Sequence, residues 1–135
     1  MNSEVAAILG VGPGLGAAVA RRFAREGFAV ALMARKEESV VGVREEIEGN
    51  GGAALYASAD ATDPASVEVA FGQVRDKVGD PEVFVYNAGA FQMGGVLEVD
   101  SRRFDECFKA NCAGELCTPL TNVSFSWAGS GGPKR

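Results

Sequence analysis

Four glycines within seven residues, Gly10-Val11-Gly12-Pro13-Gly14-Leu15-Gly16, dictate where the first turn of this chain must lie. They separate an apolar run, Val5 to Leu9, from an alanine-rich amphipathic segment, Leu15 to Glu26. The run reads as a buried strand and the segment as a helix, so the glycines occupy the turn between them. A tight turn that needs positive φ is usually served by one glycine. Four let the backbone come close to a ligand, with free N–H groups and the helix dipole aimed at an anion. The phosphate-binding reading is favoured because the same strand-and-helix unit recurs along the chain.

That recurrence is legible in the apolar spacing. Leu15, Ala18, Val19 and Phe23 form the predicted buried stripe of the first helix, which Gly27 closes. Phe28 to Ala34 is a second continuous apolar run, as expected of a parallel strand covered on both faces. Val40, Val43 and Ile47 mark a second helix ending in Gly49-Asn50-Gly51-Gly52, and Ala53 to Ser58 reads as a third strand. Asp63-Pro64 places a carboxylate at an N-cap and a proline at the first helical position. Val67, Ala70, Phe71, Val74 and Val78 then stripe a third helix that stops at Gly79. Glu82 to Tyr86 is a fourth strand leading into Asn87-Ala88-Gly89. Strands alternating with helices at short spacing predict an α/β fold with a doubly wound parallel sheet and right-handed crossovers.

The remainder is less regular. A fourth helix starts near Ser101, and Phe104, Cys107, Phe108 and Asn111 fall at i, i+3, i+4 and i+7. That spacing puts Asn111 on an apolar face, where its amide needs partners and serves either as structural glue or in function. Thr121 to Trp127 alternates polar and apolar residues, predicting a fifth strand that would cover the open edge of the fourth. Four to five strands in one domain over residues 1–127, followed by a frayed tail at 128–135, is the expected organisation.

With 135 residues the chain suffices for one domain with a real core. A net charge of −5 without a basic cluster argues against nucleic acid as a partner. No apolar stretch approaches the roughly 20 residues of a membrane span and the first residues lack a basic signal start, so a soluble cytoplasmic protein is expected. Cys107, Cys112 and Cys117 do not suggest a disulfide scaffold, and the absence of histidine leaves zinc short of a ligand. No metal site is expected, and the thiols read as buried or half-buried helix residues. Missing histidine also removes Ser-His and Cys-His nucleophilic chemistry.

Glycine spacing separates the candidate families. The dinucleotide fingerprint G-x-G-x-x-G would need glycine at position 15, where leucine stands, and no acidic residue ends the second strand. Gly10-x-x-x-Gly14-x-Gly16, with Asp60 after the third strand and Asn87-Ala88-Gly89 after the fourth, instead resembles the short-chain dehydrogenase/reductase family, over residues 5 to about 114. The resemblance implies a Rossmann-type fold and an oxidoreductase ancestry. It assigns Gly10, Gly14 and Gly16, with Gly12 and Leu15 between them, to the loop under the cofactor pyrophosphate. Asp60 and Ala61 match the pair that holds the adenine ring, and Asn87, Ala88 and Gly89 the motif beside the ribose. Asn111 matches the helix asparagine of the catalytic set. Arg35 stands where this family often places a base for the 2′-phosphate of NADP. A guanidinium–phosphate contact worth about 1.5–3 kcal/mol gives roughly a 10- to 100-fold preference, so NADP(H) is expected over NAD(H). Lys36 either adds to that contact or faces solvent.

Two kinds of departure qualify the resemblance. Leu9 and Tyr86 replace a threonine and an asparagine of the family pattern, which suggests an apolar contact where a polar tie would stand. More consequentially, the tyrosine and the lysine four residues after it, which perform the family's proton transfer, have no counterpart. The two tyrosines, Tyr56 and Tyr86, are followed at that distance by Asp60 and Ala90. The expectation is therefore a C-terminally shortened cofactor-binding portion without turnover of its own. Alternatives are an active carbonyl or alcohol oxidoreductase completed by a partner chain, and a non-enzymatic module that binds a second copy or a full-length relative.

Overall fold

The computed structural model describes residues 3–114, so the expected fifth strand at Thr121–Trp127, the domain limit at residue 127 and Cys117 lie outside the described residues. Four strands, β1 (Val5–Leu9), β2 (Ala29–Ala34), β3 (Ala54–Ser58) and β4 (Val83–Tyr86), form one parallel sheet in the order β3-β2-β1-β4. Every residue of β1 and β2 is buried, as their unbroken apolar sequences require of strands covered on both faces. The chain runs outward from β1 through β2 to β3, then returns to pair β4 with the other side of β1. This reversal makes the crevice between β1 and β4 the topological switch point of the sheet.

Helices α1 (Leu15–Arg25) and α2 (Val41–Gly49) cover one face, and α3 (Pro64–Val78) covers the other. Beneath α1 and α2, Ala17, Ala20, Val40, Val43 and Ile47 pack on Ile8, Val30 and Leu32. Beneath α3, Val67, Ala70, Phe71 and Val74 pack on Val5, Ala7, Leu9 and Met33. The sheet is thus doubly wound, as its alternating sequence predicts. Asp63 caps α3 by accepting from the Ala65 amide at 3.1 Å, with Pro64 just inside the helix.

The stripe predicted for α1 needs correction. Leu15 is 67% exposed and Ala18 is exposed, whereas Gly16, Ala17 and Ala20 are buried. Val19 and Phe23 of that stripe do pack, half-buried, on this layer, but the closest contacts come from the smallest residues and leucine at the first turn stands outward. The fourth helix, α4 (Ser101–Phe108), departs further. Phe104 and Phe108 stack on one another with centroids 6.5 Å apart, yet are 63% and 52% exposed. Asn111 and Cys112 are exposed too, and Cys107 is half-buried, so the predicted stripe is not a core face and the Cys112 thiol is not sheltered.

Leu32 sits at the centre of the sheet, fully buried against the α1 and α2 layer. Truncation in Leu32→Ala is expected to lower stability by about 2–5 kcal/mol, read as a shift of the urea unfolding midpoint. A shift under about 0.5 kcal/mol would mean that this layer is not the cooperative core.

Candidate functional site

The carboxyl ends of all four strands open onto one cleft of about 820 Å³. Its floor is the turn after β1. Gly10 adopts φ +93°, and a Cβ there would lie 2.6 Å from the carbonyl carbon of Asn87, inside the backbone of the turn after β4. A Cβ on Gly16 would lie 2.7 Å from the Gly10 carbonyl oxygen. These two glycines are demanded by the protein's own packing. Gly12 and Gly14 are different: a Cβ at either would meet no protein atom within 4 Å. The space their missing side chains leave lies at the cleft and at the N-terminus of α1, where Gly14 is the N-cap and no side chain caps the helix. First-turn amides and the helix dipole there suit an anion.

One wall is held by Asn87, Ala88 and Gly89. The Asn87 amide donates to the Leu9 carbonyl at 2.8 Å, and its side-chain Nδ2 donates to the Gly10 carbonyl at 3.1 Å. The sequence motif thus ties the end of β4 to the glycine turn. Asn111 continues this wall. Its Nδ2 donates to the Ala90 carbonyl at 2.7 Å, its Oδ1 accepts from the Ala90 amide at 3.0 Å, and a Cβ on Gly89 would lie 3.0 Å from that oxygen. The side chain is exposed, and its partners are backbone groups of the cleft wall.

The opposite wall carries charge. Arg35, at the end of β2, is exposed, lines the cleft and takes part in none of the ion pairs found among the described residues. Nearby Glu37 is neutralised by Arg44 at 2.8 Å. Asp60 follows β3 and folds into an Asx turn, its Oδ1 accepting from the Thr62 hydroxyl at 2.7 Å and the Thr62 amide at 2.9 Å. These two bonds, helped by the field of Arg35 and opposed by partial burial, hold the Asp60 carboxyl below its ordinary value of 3.8. All the predicted cofactor residues except Gly14, Leu15 and Gly16 line the cleft directly, and those three form the adjoining start of α1.

Sequence reasoning missed several contributors. Thr62 was readable as the third residue of an Asp-x-Thr turn. Ser39, Glu106 and Ala110 also line the cleft, but only the docking of their segments brings them there. The expected apolar exchange at Leu9 and Tyr86 is half right. The two residues are register partners with Tyr86 packed against the α3-side core, yet the Tyr86 hydroxyl also donates to the Ala110 carbonyl at 2.5 Å.

The profile of the family described as short chain dehydrogenase matches residues 4–123. Versicolorin reductase of Emericella nidulans is 32% identical over 117 residues, covering 86% of this chain and 44% of that protein. Among solved structures, the actinorhodin polyketide ketoreductase with NADPH superposes with TM-score 0.81 at 28% identity, over 86% of this chain and 44% of that one. The alcohol dehydrogenase of the archaeon Thermococcus sibiricus, complexed with 5-hydroxy-NADP, gives 0.80 at 32% identity over 86% and 50%. The chain spans about half the length of the curated relatives it matches. Among the described residues no helix is long and apolar enough to cross a membrane, and no cluster of potential metal ligands occurs.

Because the folded pKa of Asp60 lies below its unfolded value, its contribution to stability is present above the ordinary carboxylate pKa and is lost as pH falls through the folded value. Thr62→Val removes the strongest of the lowering contacts. Carboxyl-detected NMR titration should show Asp60 moving back up towards 3.8. An unmoved titration would assign the depression to the backbone and Arg35 instead.

Proposed function

The chain belongs to the short-chain dehydrogenase family, and on that premise we propose that it is an NADP(H)-binding Rossmann unit that cradles its cofactor without turning over substrate by itself. The observation that carries this reading is the contrast among the glycines. Gly10 and Gly16 satisfy the protein's packing, while Gly12 and Gly14 leave open space beside a helix N-terminus. The residues present fit a dinucleotide. Gly10, Gly12, Gly14, Leu15 and Gly16 would lie under the pyrophosphate, Asp60 and Ala61 beside the adenine, and Asn87, Ala88 and Gly89 beside the ribose. Arg35, at the end of β2 and outside the ion pairs of the described residues, would meet the 2′-phosphate. NADPH in a structural neighbour supports the same choice.

The bound cofactor supplies hydride chemistry; proton transfer must come from the protein. Tyr56 lies in β3, with its hydroxyl 3.4 Å from the Ala34 carbonyl, and Tyr86 points its hydroxyl at Ala110. Neither has a lysine four residues on. Loss of a general acid/base removes about 10²- to 10⁴-fold of rate. Turnover would then require that pair from outside these 135 residues, and a reductase assay on this chain alone and mixed with a full-length family member tests this.

A second reading is favoured by one surface. Phe91, Met93, Val96 and Leu97, between β4 and α4, are exposed along with Phe104 and Phe108. So much apolar area near the sheet edge suits association with a second copy or a full-length relative. A monomeric mass at every concentration in light scattering, with and without such a relative, would remove it.

Calorimetric titration should show saturable binding of NADPH in preference to NADH. Arg35→Ala is expected to weaken NADPH by about 10- to 100-fold while leaving NADH nearly unchanged. Equal loss for both cofactors would take the 2′-phosphate role from Arg35. Gly12→Ala should keep its unfolding midpoint within about 0.5 kcal/mol of the parent and still lose cofactor affinity. Gly10→Ala should destabilise the fold outright. If Gly12→Ala binds NADPH normally, the open space at that glycine is not the pyrophosphate seat.

A further inference from the structure

The end of α4 is not α-helical. Residues Lys109–Ala113 form a π-turn, in which the Gly114 amide donates to the Lys109 carbonyl five residues back. In an α-helix that amide would serve the Ala110 carbonyl, four residues back. The Ala110 carbonyl accepts the Tyr86 hydroxyl, at 2.5 Å. Gly114 is part of the same junction. A Cβ there would lie 2.5 Å from the Tyr86 hydroxyl oxygen and would also press on the Ala61 carbonyl, so only glycine lets the helix end seat between β4 and the turn after β3. Immediately inside the π-turn, Asn111 grips both the amide and the carbonyl of Ala90, next to Gly89.

We propose that Tyr86 is a positioning residue for the cleft. By donating its hydroxyl to the Ala110 carbonyl inside the π-turn, it holds α4 in that register and, through Asn111, sets the Gly89–Ala90 wall. The inference rests on the cofactor-cradle reading for its consequence but not for its geometry. Register matters because one residue is worth about 100° around a helix axis. Return of this segment to α spacing would carry Asn111 away from Ala90 and move Glu106 and Ala110, which line the cleft from α4 and from the π-turn. The phenol also explains how the chain tolerates an aromatic residue at this strand end. Its ring packs beside Phe84, with centroids 6.4 Å apart, while its hydroxyl donates to the Ala110 carbonyl.

The test uses the whole chain, isotope-labelled for NMR, with NADPH as the calorimetric ligand. Tyr86→Phe keeps the ring and removes only the hydroxyl. Exchange of the Ala90 amide should accelerate about five- to tenfold, the Asn111 side-chain amide resonances should shift towards solvent-exposed positions, and NADPH should bind several-fold more weakly. Amides of β1 and β2 should keep their protection. Phe84→Leu is the control: it loosens the ring packing and lowers the unfolding midpoint, but should leave the Ala90 and Asn111 signals in place. Unchanged Ala90 exchange in Tyr86→Phe, or equal changes in Phe84→Leu, overturns the proposal. Should Tyr86→Phe fail to fold, the unsubstituted chain decides. A slowly exchanging Tyr86 hydroxyl proton in dipolar contact with Ala110 supports the lock, and its absence overturns it. Failure of the unsubstituted chain to bind NADPH would instead remove the cradle reading and leave the amide result standing.

Discussion

The carboxyl end of the sheet depends on two backbones passing with no room for a methyl group between them. Gly10 leaves β1 at φ +93°, and the Asn87–Ala88 peptide leaves β4 across it. Two hydrogen bonds from Asn87 close the junction, one from its amide to Leu9 and one from its side chain to Gly10. The glycine turn and the Asn-Ala-Gly turn are therefore one structural object, although 77 residues separate their central partners in sequence. Such a contact costs chain entropy, because it closes the whole β1–β2–β3 excursion into a loop. It fixes the floor and one wall of the cleft together. A change in either turn should be felt in the other.

The glycines that face this junction and those that face the cleft have identical local sequence character, and this limits what could be read in advance. The presence of the loop, the strand before it and the helix after it were all legible from four glycines and a pair of apolar runs. The division of labour among Gly10, Gly12, Gly14 and Gly16 was not, because it depends on what the distant Asn87 turn places against each of them. The same physics explains the misread stripe of α1. Leu15 carries the larger apolar side chain, but a helix seated on Gly16, Ala17 and Ala20 has no depth to take it. Periodicity counts hydrophobic residues and does not weigh the separation between layers.

The region after β4 shows a deeper limit. Helical spacing placed Phe104, Phe108 and Asn111 on one face, which assumes 3.6 residues per turn throughout. The π-turn inserts an extra residue between the phenylalanines and Gly114, and the described residues give this helix no apolar layer to lie against. A π-turn has no strong sequence signature because its backbone bonds are poorer than those of an α-helix. What sustains it is tertiary: the Tyr86 hydroxyl, the Gly114 seat and the Asn111–Ala90 pair. Asn111 could be singled out as an amide needing partners, and that requirement proved correct. Its partners are the amide and carbonyl of Ala90, so the side chain that needs them also ties the cleft wall in place.

On the proposed reading, the far wall would meet negative charge beyond that of the pyrophosphate. Arg35 is accessible and outside the ion pairs of the described residues, while the nearest glutamate of the following turn, Glu37, is taken up by Arg44. Asp60 feels Arg35 but commits its Oδ1 to Thr62, which keeps its carboxylate turned into its own turn. Among the described residues Arg35 has no ion-pair partner, so an anion bound there would replace water without breaking an ion pair of those residues. NAD offers no group of that charge at the ribose, and NADP does. The proposed preference for NADP(H) therefore rests on the charges around Arg35 rather than on the glycine loop, which would accept either dinucleotide equally.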